Sequence, residues 1–274
     1  MSSLTLKEMP LIKNWLEKLD SPASEYSFAN LYLFRDVHDY SLETDYLPLI
    51  RGKTREGDRF IFPLTKPYLP YMELLKENEF LFPITELDGL ENYPHTCVDR
   101  DRDYVYEVNK LKLLPGRKLA SRRNLLHQFE NTIDPRIETL TPDLVKDALT
   151  VLEKWHNDKE GDYESCKEAL ILMEDLGLFG VIVYEDTHPL GFVLGEMQDQ
   201  EHYLMHFAKS DHEQKGITPF LYQTVASRFD DKVKWMNLEP DLGIEELAHA
   251  KEAYAPDLLL EKFRIYRKKK TEGP

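Results

Sequence analysis

Asn237-Leu238-Glu239-Pro240-Asp241-Leu242-Gly243 reads as a strand end opening into a helix, and the chain on either side is organised around it. Upstream, Gly180-Val181-Ile182-Val183-Tyr184 and the run from Leu190 to Glu196 are β-rich, parted by the hairpin signal Asp186-Thr187-His188-Pro189. His202-Tyr203-Leu204-Met205-His206-Phe207 is a third such run. After a polar loop over 209–216, Thr218 reads as an N-cap with Pro219 at the first helical position, starting an amphipathic helix to about Arg228. Residues 233–238 read as the next strand, 244–253 as the next helix and 259–266 as a last strand. The expected order is therefore three antiparallel strands, helix, strand, helix, strand.

Three stretches in sequence carry a family resemblance. They are Ser27-Phe28-Ala29-Asn30-Leu31-Tyr32-Leu33-Phe34-Arg35; then Leu114-Pro115-Gly116-Arg117-Lys118 with Arg122-Arg123-Asn124 and Phe129; then 237–243 with Leu247, Ala250-Lys251, Tyr254 and Pro256. Together they resemble the phosphatidylglycerol lysyltransferase C-terminal-like family. The resemblance implies an α/β (α+β) fold of two tandem GNAT-like acyltransferase domains with mixed, mainly antiparallel sheets, related to Fem-type aminoacyl transferases. It further implies transfer of an acyl or aminoacyl group from an acyl-CoA or aminoacyl-tRNA donor to an amine or hydroxyl acceptor. By the same resemblance Asn30, Arg35, Lys118, Arg122, Arg123, Asn124, Lys209, Asn237 and Lys251 are expected to bind substrate.

Composition bounds these expectations. The chain has 274 residues, enough for about two domains at roughly 150 residues each. Its net charge of −15 argues against a general nucleic-acid or anionic-membrane surface, because phosphate contacts need clustered Lys and Arg. Cys97 and Cys166 are too few for a disulfide framework, and the N-terminus has no basic segment leading into an apolar core. No apolar run approaches the ~20 residues of a membrane helix. A soluble, cytoplasmic protein is the expectation.

Along the first half, residues 6–19 read as an amphipathic helix, 27–35 as an aromatic-rich helix or turn, 46–50 and 60–62 as paired strands, 67–79 as a helix and 80–82 as a buried strand. Residues 4–12 weakly echo 137–145, as an internal duplication would. Asn131-Thr132-Ile133-Asp134-Pro135 marks the expected boundary, giving domains 1–133 and 134–274. Helices are expected over 142–156 and 163–176, with a polar joint at 157–162, and the basic tail from Arg264 reads as a solvated end.

Lys110, Lys112, Arg117, Lys118, Arg122 and Arg123 cluster about Pro115-Gly116, a turn preceding a helix. A turn leading into a helix N-terminus can hold an anion, since amides and dipole add to the side-chain charge. A solvated basic face, or an ion-pair seam, explains the same residues. The loop before 217–228 has one glycine, Gly216, and Pro219 removes an amide, which weakens a CoA pyrophosphate site.

His206 and Lys209 form a His-x-x-Lys pair that resembles the family's His-x-Glu-Lys, with Ala208 replacing the acid. Strand alternation puts His206 beside Ala208 and Lys209 opposite. His206 reads as a general base for an acceptor amine, its reference pKa of about 6.5 suiting neutral proton transfer, or as a hydrogen-bonded core histidine. His202 and His206 would lie about 13 Å apart on a strand, too far for one zinc ion, so no metal is expected. Asn237, Glu239 and Asp241 alternate, so an extended chain would present them together, with Glu239 and Asp241 able to grip an amine and take its proton. The plainer reading has Asp241 capping the following helix and Asn237 satisfying a strand edge. Tyr254 is expected to protonate a leaving group, or to anchor packing before Pro256. Leu238, Glu246 and Ala248 depart from the family's arginine, glycine and arginine, and the two lost cations leave open a non-catalytic protein that binds a phosphorylated metabolite or protein partner.

Overall fold

The computed structural model describes residues 4–156, 161–211 and 213–268. Up to Arg102 the chain forms α1 (Met9–Leu19), α2 (Phe28–Leu33), β1 (Ser41–Glu43), β2 (Leu49–Lys53), β3 (Arg59–Pro63), β4 (Phe80–Ile84) and β5 (His95–Cys97). There follow β6 (Asp103–Glu107), α3 (Val108–Leu113), α4 (Ala120–Thr132), β7 (Pro135–Leu140), α5 (Val145–His156), α6 (Tyr163–Ile171) and α7 (Met173–Leu176). Then come β8 (Phe179–Glu185), β9 (His188–Met197), β10 (His202–Ser210), α8 (Ile217–Ala226), β11 (Trp235–Pro240), α9 (Glu245–Glu252), β12 (Leu258–Leu260) and β13 (Phe263–Tyr266).

The strands make two mixed sheets. One has the order β1-β2-β3-β4-β13-β5, the other β12-β6-β11-β10-β9-β8-β7. In the first only β3 and β4 run parallel, and in the second β10 and β11 do; the other pairings whose register is resolved are antiparallel. The hairpin expected between 184 and 190 is present but tighter, with β8 and β9 joined at Asp186 in the left-handed region. The helix expected over 67–79 is a 3₁₀ turn at Leu69–Glu73. Thr5 and Thr141 both precede a 3₁₀ turn that runs into a helix, which is the local structure behind the weak sequence echo.

The chain divides elsewhere than at the expected 133/134. One compact unit runs to Arg102 and takes back the chain from Leu260; the other is Asp103–Leu259. The reason is strand pairing: β6 joins β11 antiparallel in the second sheet, so α3, the basic turn and α4 follow it into that unit. Conversely β13 inserts between β4 and β5. The expected solvated tail is thus part strand: Arg264 is buried and bidentate on Asp101, at 2.7 and 3.0 Å. Lys269 and Lys270, and most of the expected joint at 157–162, lie outside the described residues.

In the second unit Tyr106, Leu126, Phe129, Val193, Met205, Phe220, Met236 and Leu238 share one apolar core with Tyr254. The helix α8 begins at Gly216, not at Thr218: Gly216 is the N-cap at φ 89° and Pro219 is the third helical residue. A Cβ at Gly216 would run into the carbonyl oxygen of Leu125 on α4, so glycine is what lets the two helices close, with the Phe129 and Phe220 rings tilted against each other, their centres 4.9 Å apart. Gly177, at φ 74°, faces open space instead. Gly216→Ala is accordingly expected to cost about 2–5 kcal/mol, combining left-handed strain with overpacking, and Gly177→Ala only about 1 kcal/mol, as read by urea unfolding.

Candidate active site

The parallel strands β10 and β11 pair only at His202↔Trp235, Tyr203↔Met236 and Leu204↔Asn237, and then part. Each carries an irregularity just beyond. On β10 the register against β9 slips between Met205 and Phe207, leaving His206 as the extra residue of a bulge. On β11 the register against β6 slips between Asn237 and Pro240, and Glu239 sits at φ 60°, a left-handed conformation uncommon outside glycine.

Three buried side chains hold the β11 bulge. The Lys251 ammonium donates to the carbonyls of Leu238 (2.6 Å), Glu239 (3.0 Å) and Pro240 (2.8 Å). Asn237 donates to Asp103 on β6 at 2.9 Å and accepts the Glu239 amide at 2.8 Å. Asp241 accepts the Tyr104 hydroxyl at 2.7 Å and the Gly243 amide at 2.7 Å, closing a short turn. Asn237, Glu239 and Asp241 therefore do not line one face as an extended chain would have them; the bulge turns each to a different partner. Nor does Asp241 cap α9, whose N-cap is Ile244. Asn237 and Lys251, expected to touch substrate, hold backbone in place.

His206 lies across the gap. Its Nδ1 meets Glu239 Oε1 at 2.8 Å and its Nε2 meets Glu196 Oε1 on β9 at 3.1 Å. The imidazole is fully buried, whereas the Glu196 and Glu239 carboxylates each keep some exposure. Burial by itself would lower the histidine's pKa, but the hydrogen bonds and charges of Glu196 and Glu239 outweigh it and raise it to about 9. His206 is then an imidazolium at neutral pH with both nitrogens donating, and the neutral general base expected of it is not what this environment makes. Its bulged position also breaks the strand alternation expected to pair it with Ala208. Glu196 escaped the sequence reading; the signal was there, a lone acid ending an otherwise apolar strand.

The remaining expected site residues disperse. Lys209 is buried, 2.6 Å from Asp162 and 3.6 Å from the Trp155 ring centre. Arg123 donates to the Leu114 and Gly116 carbonyls, pinning the basic turn against its own helix. Lys118 and Asn124 are exposed, and Arg122 is half-buried with its guanidinium 5.8 Å from the Tyr254 ring centre. Tyr254 is buried; desolvation, helped by Tyr222 and opposed by Arg122, pushes its phenol far up, so it keeps its proton. Asn30 and Arg35 belong to the other unit, where Arg35 binds the Tyr32 carbonyl at 2.5 Å and lies over its ring at 4.0 Å. Among the expected departures, Leu238 is a core side chain, while Glu246 is exposed.

Two mixed sheets, each dressed with helices, and a parallel pair that parts over a bridged histidine give the chain a mixed α/β fold in two units, the fold it shares with FemX. It belongs to the phosphatidylglycerol lysyltransferase, C-terminal family, which residues 16–266 match. A conserved protein of unknown function from Bacteroides thetaiotaomicron VPI-5482 is similar at 24% identity and TM-score 0.84, over 97% of this chain and 99% of that one. L-PGS from Bacillus licheniformis is similar at 13% identity and TM-score 0.60, over 96% and 93% of the two chains, and FemX at 9% identity and TM-score 0.59, over 96% of each. No protein of curated function matches the sequence. Among the described residues no helix is long and apolar enough to cross a membrane.

Two outcomes follow from the bridge and its support. Below about pH 6.5 His206 is protonated folded and unfolded alike, so its full stabilisation is present; it fades as pH climbs through about 9, a span worth roughly 3 kcal/mol. Unfolding free energy measured from pH 6 to 10 is expected to fall across that window, and His206→Gln to flatten the fall. Lys251→Met is expected to cost on the order of 3 kcal/mol in urea unfolding, because it strands three carbonyls that one ammonium satisfied.

Proposed function

We propose that the second unit transfers an acyl or aminoacyl group from a CoA or tRNA donor to an amine or hydroxyl acceptor. The observation that carries this reading is the Glu196–His206–Glu239 bridge at the parting of β10 and β11. With the imidazolium protonated, two carboxylates leave the cluster one net negative charge, suited to drawing in an amine. Glu239 is the proposed base, since its carboxylate keeps some exposure and its backbone is held rigidly by Lys251 and Asn237. As the acceptor's lone pair forms the new C–N or C–O bond, its proton passes to Glu239, and the donor's thioester or ester bond breaks. The proton then leaves with the departing thiol or hydroxyl. The ladder between the strands ends at Leu204 and Asn237, and backbone amides beyond that point are the proposed partners of the carbonyl oxygen.

The start of α8 favours an aminoacyl ester over CoA. There the Ile217 amide is taken by the Gln214 carbonyl, Pro219 has no amide, and Gly216 is packed against Leu125, which leaves little of a pyrophosphate cradle. The neighbouring anions Asp211 and Glu213 draw Lys154 to 2.5 and 3.4 Å, adding acid where a pyrophosphate would need base. The family's name, a lysyltransferase, and the likeness to L-PGS and FemX support the same choice.

The test is transfer of labelled aminoacyl groups from a charged tRNA panel, with an acyl-CoA panel beside it, to a mixture of amine and hydroxyl acceptors. The wild type is expected to turn over, and Glu239→Gln to lower kcat at least about 100-fold while donor binding persists. Donor binding with no turnover by the wild type would instead favour the binding-protein reading; full activity in Glu239→Gln would remove Glu239 from the mechanism.

A further inference from the structure

We propose that Arg122 and the Tyr254 hydroxyl form a binding site for the oxyanion of a small ligand, a carboxylate or a phosphate group, separate from the Glu196–His206–Glu239 cluster. Two donors there are left over. The Tyr254 hydroxyl and Arg122 Nε are both buried, and neither has a hydrogen-bond partner among the described residues. Tyr254 is only 2% exposed, so its hydroxyl cannot simply turn to bulk water. A buried donor without an acceptor is destabilising, and buried polar groups in a folded protein are ordinarily hydrogen-bonded. The Arg122 guanidinium lies 5.8 Å from the Tyr254 ring centre, close enough to oppose the rise in the phenol's pKa. Among the described residues no carboxylate accepts from either; what such a pair lacks is an acceptor that carries negative charge.

The surrounding chain is charged to match. From Val108 to Phe129 there are six Lys and Arg residues and no Asp or Glu, in a protein of net charge −15. Two of the six are committed: Lys110 to the Ala255 carbonyl and Asp257, Arg123 to the carbonyls of the turn. Lys112, Arg117 and Lys118 have no side-chain partner among the described residues. Other buried cations have partners: Lys209 meets Asp162, Lys262 meets Glu25, Arg264 meets Asp101, and Lys251 meets three carbonyls. Arg122, whose Nε is left without an acceptor, sits where Arg123 braces the turn, with Leu114 and Gly116 both left-handed, in the first turn of the 13-residue helix α4. Helix dipole, unpaired cations and two orphaned donors all favour the same ligand charge. In this assignment Tyr254 donates a hydrogen bond to the bound oxyanion and keeps its proton, in place of giving it to a leaving group.

The probes are sodium phosphate and sodium acetate, titrated at constant ionic strength against chloride, with Tm and calorimetric heat as readouts on the wild type, Tyr254→Phe and Arg122→Gln. One of the two anions is expected to raise the wild-type Tm saturably. Each variant should weaken that affinity at least about tenfold, the loss of one charge-assisted hydrogen bond. Tyr254→Phe without anion should be as stable as the wild type or more so, since it deletes an unsatisfied buried group and keeps the ring; a purely structural hydroxyl would show the opposite. Preference for phosphate or for acetate tells which oxyanion source the site takes. Failure of both anions to act beyond chloride, or equal affinity in Tyr254→Phe, overturns the proposal. Neither readout involves transfer activity, so the result stands apart from that of the turnover assay.

Discussion

Three consecutive carbonyls, those of Leu238, Glu239 and Pro240, converge on one lysine ammonium, and most of what is distinctive about the second unit depends on that convergence. Successive carbonyls in a regular strand point to opposite sides, so they can meet one donor only if the strand stops being regular. The bulge and the left-handed Glu239 are that irregularity, and they turn the Glu239 carboxylate toward β10. Asn237 adds a second brace from inside the sheet, joining the bulge's amide to Asp103 on β6. A conformation that would cost about 1–3 kcal/mol alone is thereby over-determined from two directions.

The histidine bridge shows how burial and charge are balanced. An imidazolium sealed from water is costly, and it stays protonated because a carboxylate stands at each ring nitrogen. Both carboxylates keep some contact with solvent, so the cluster is buried at its centre and open only at its edges. In that arrangement one ring ties together two acids from different strands. The arrangement also explains why a histidine that reads as a base in isolation is held as a cation at neutral pH.

Strand order decides which residues can cooperate. Because β6 pairs with β11, the basic turn and α4 belong to the unit that holds Tyr254 and α8, where Gly216 allows the two helices to close. A boundary drawn from local punctuation at Asn131–Pro135 separates residues that share one core. The return of β13 to the first sheet is equally invisible to a linear reading, since it puts the last described strand between β4 and β5, which end at Ile84 and Cys97.

The sequence by itself determined the element order of the second half, the two-domain fold class and the family, because hydrophobic periodicity, turn chemistry and motif residues are local properties. It also marked Glu239, Asp241, Lys251 and Tyr254 as unusual, polar groups set where a strand end meets a helix. Only the tertiary structure decided their roles. A bulge shifts every later side chain to the other face, so the alternation used for His206 and for 237–241 failed at the two places where hydrogen-bonded partners override the strand's period. Glu196, Asp103 and Tyr104 entered the site from strands distant in sequence, and Arg123 left it for the carbonyls of its own turn. Residue types announce that chemistry is present; which of them face an acceptor, a carbonyl or nothing at all is settled by long-range pairing that no local pattern encodes.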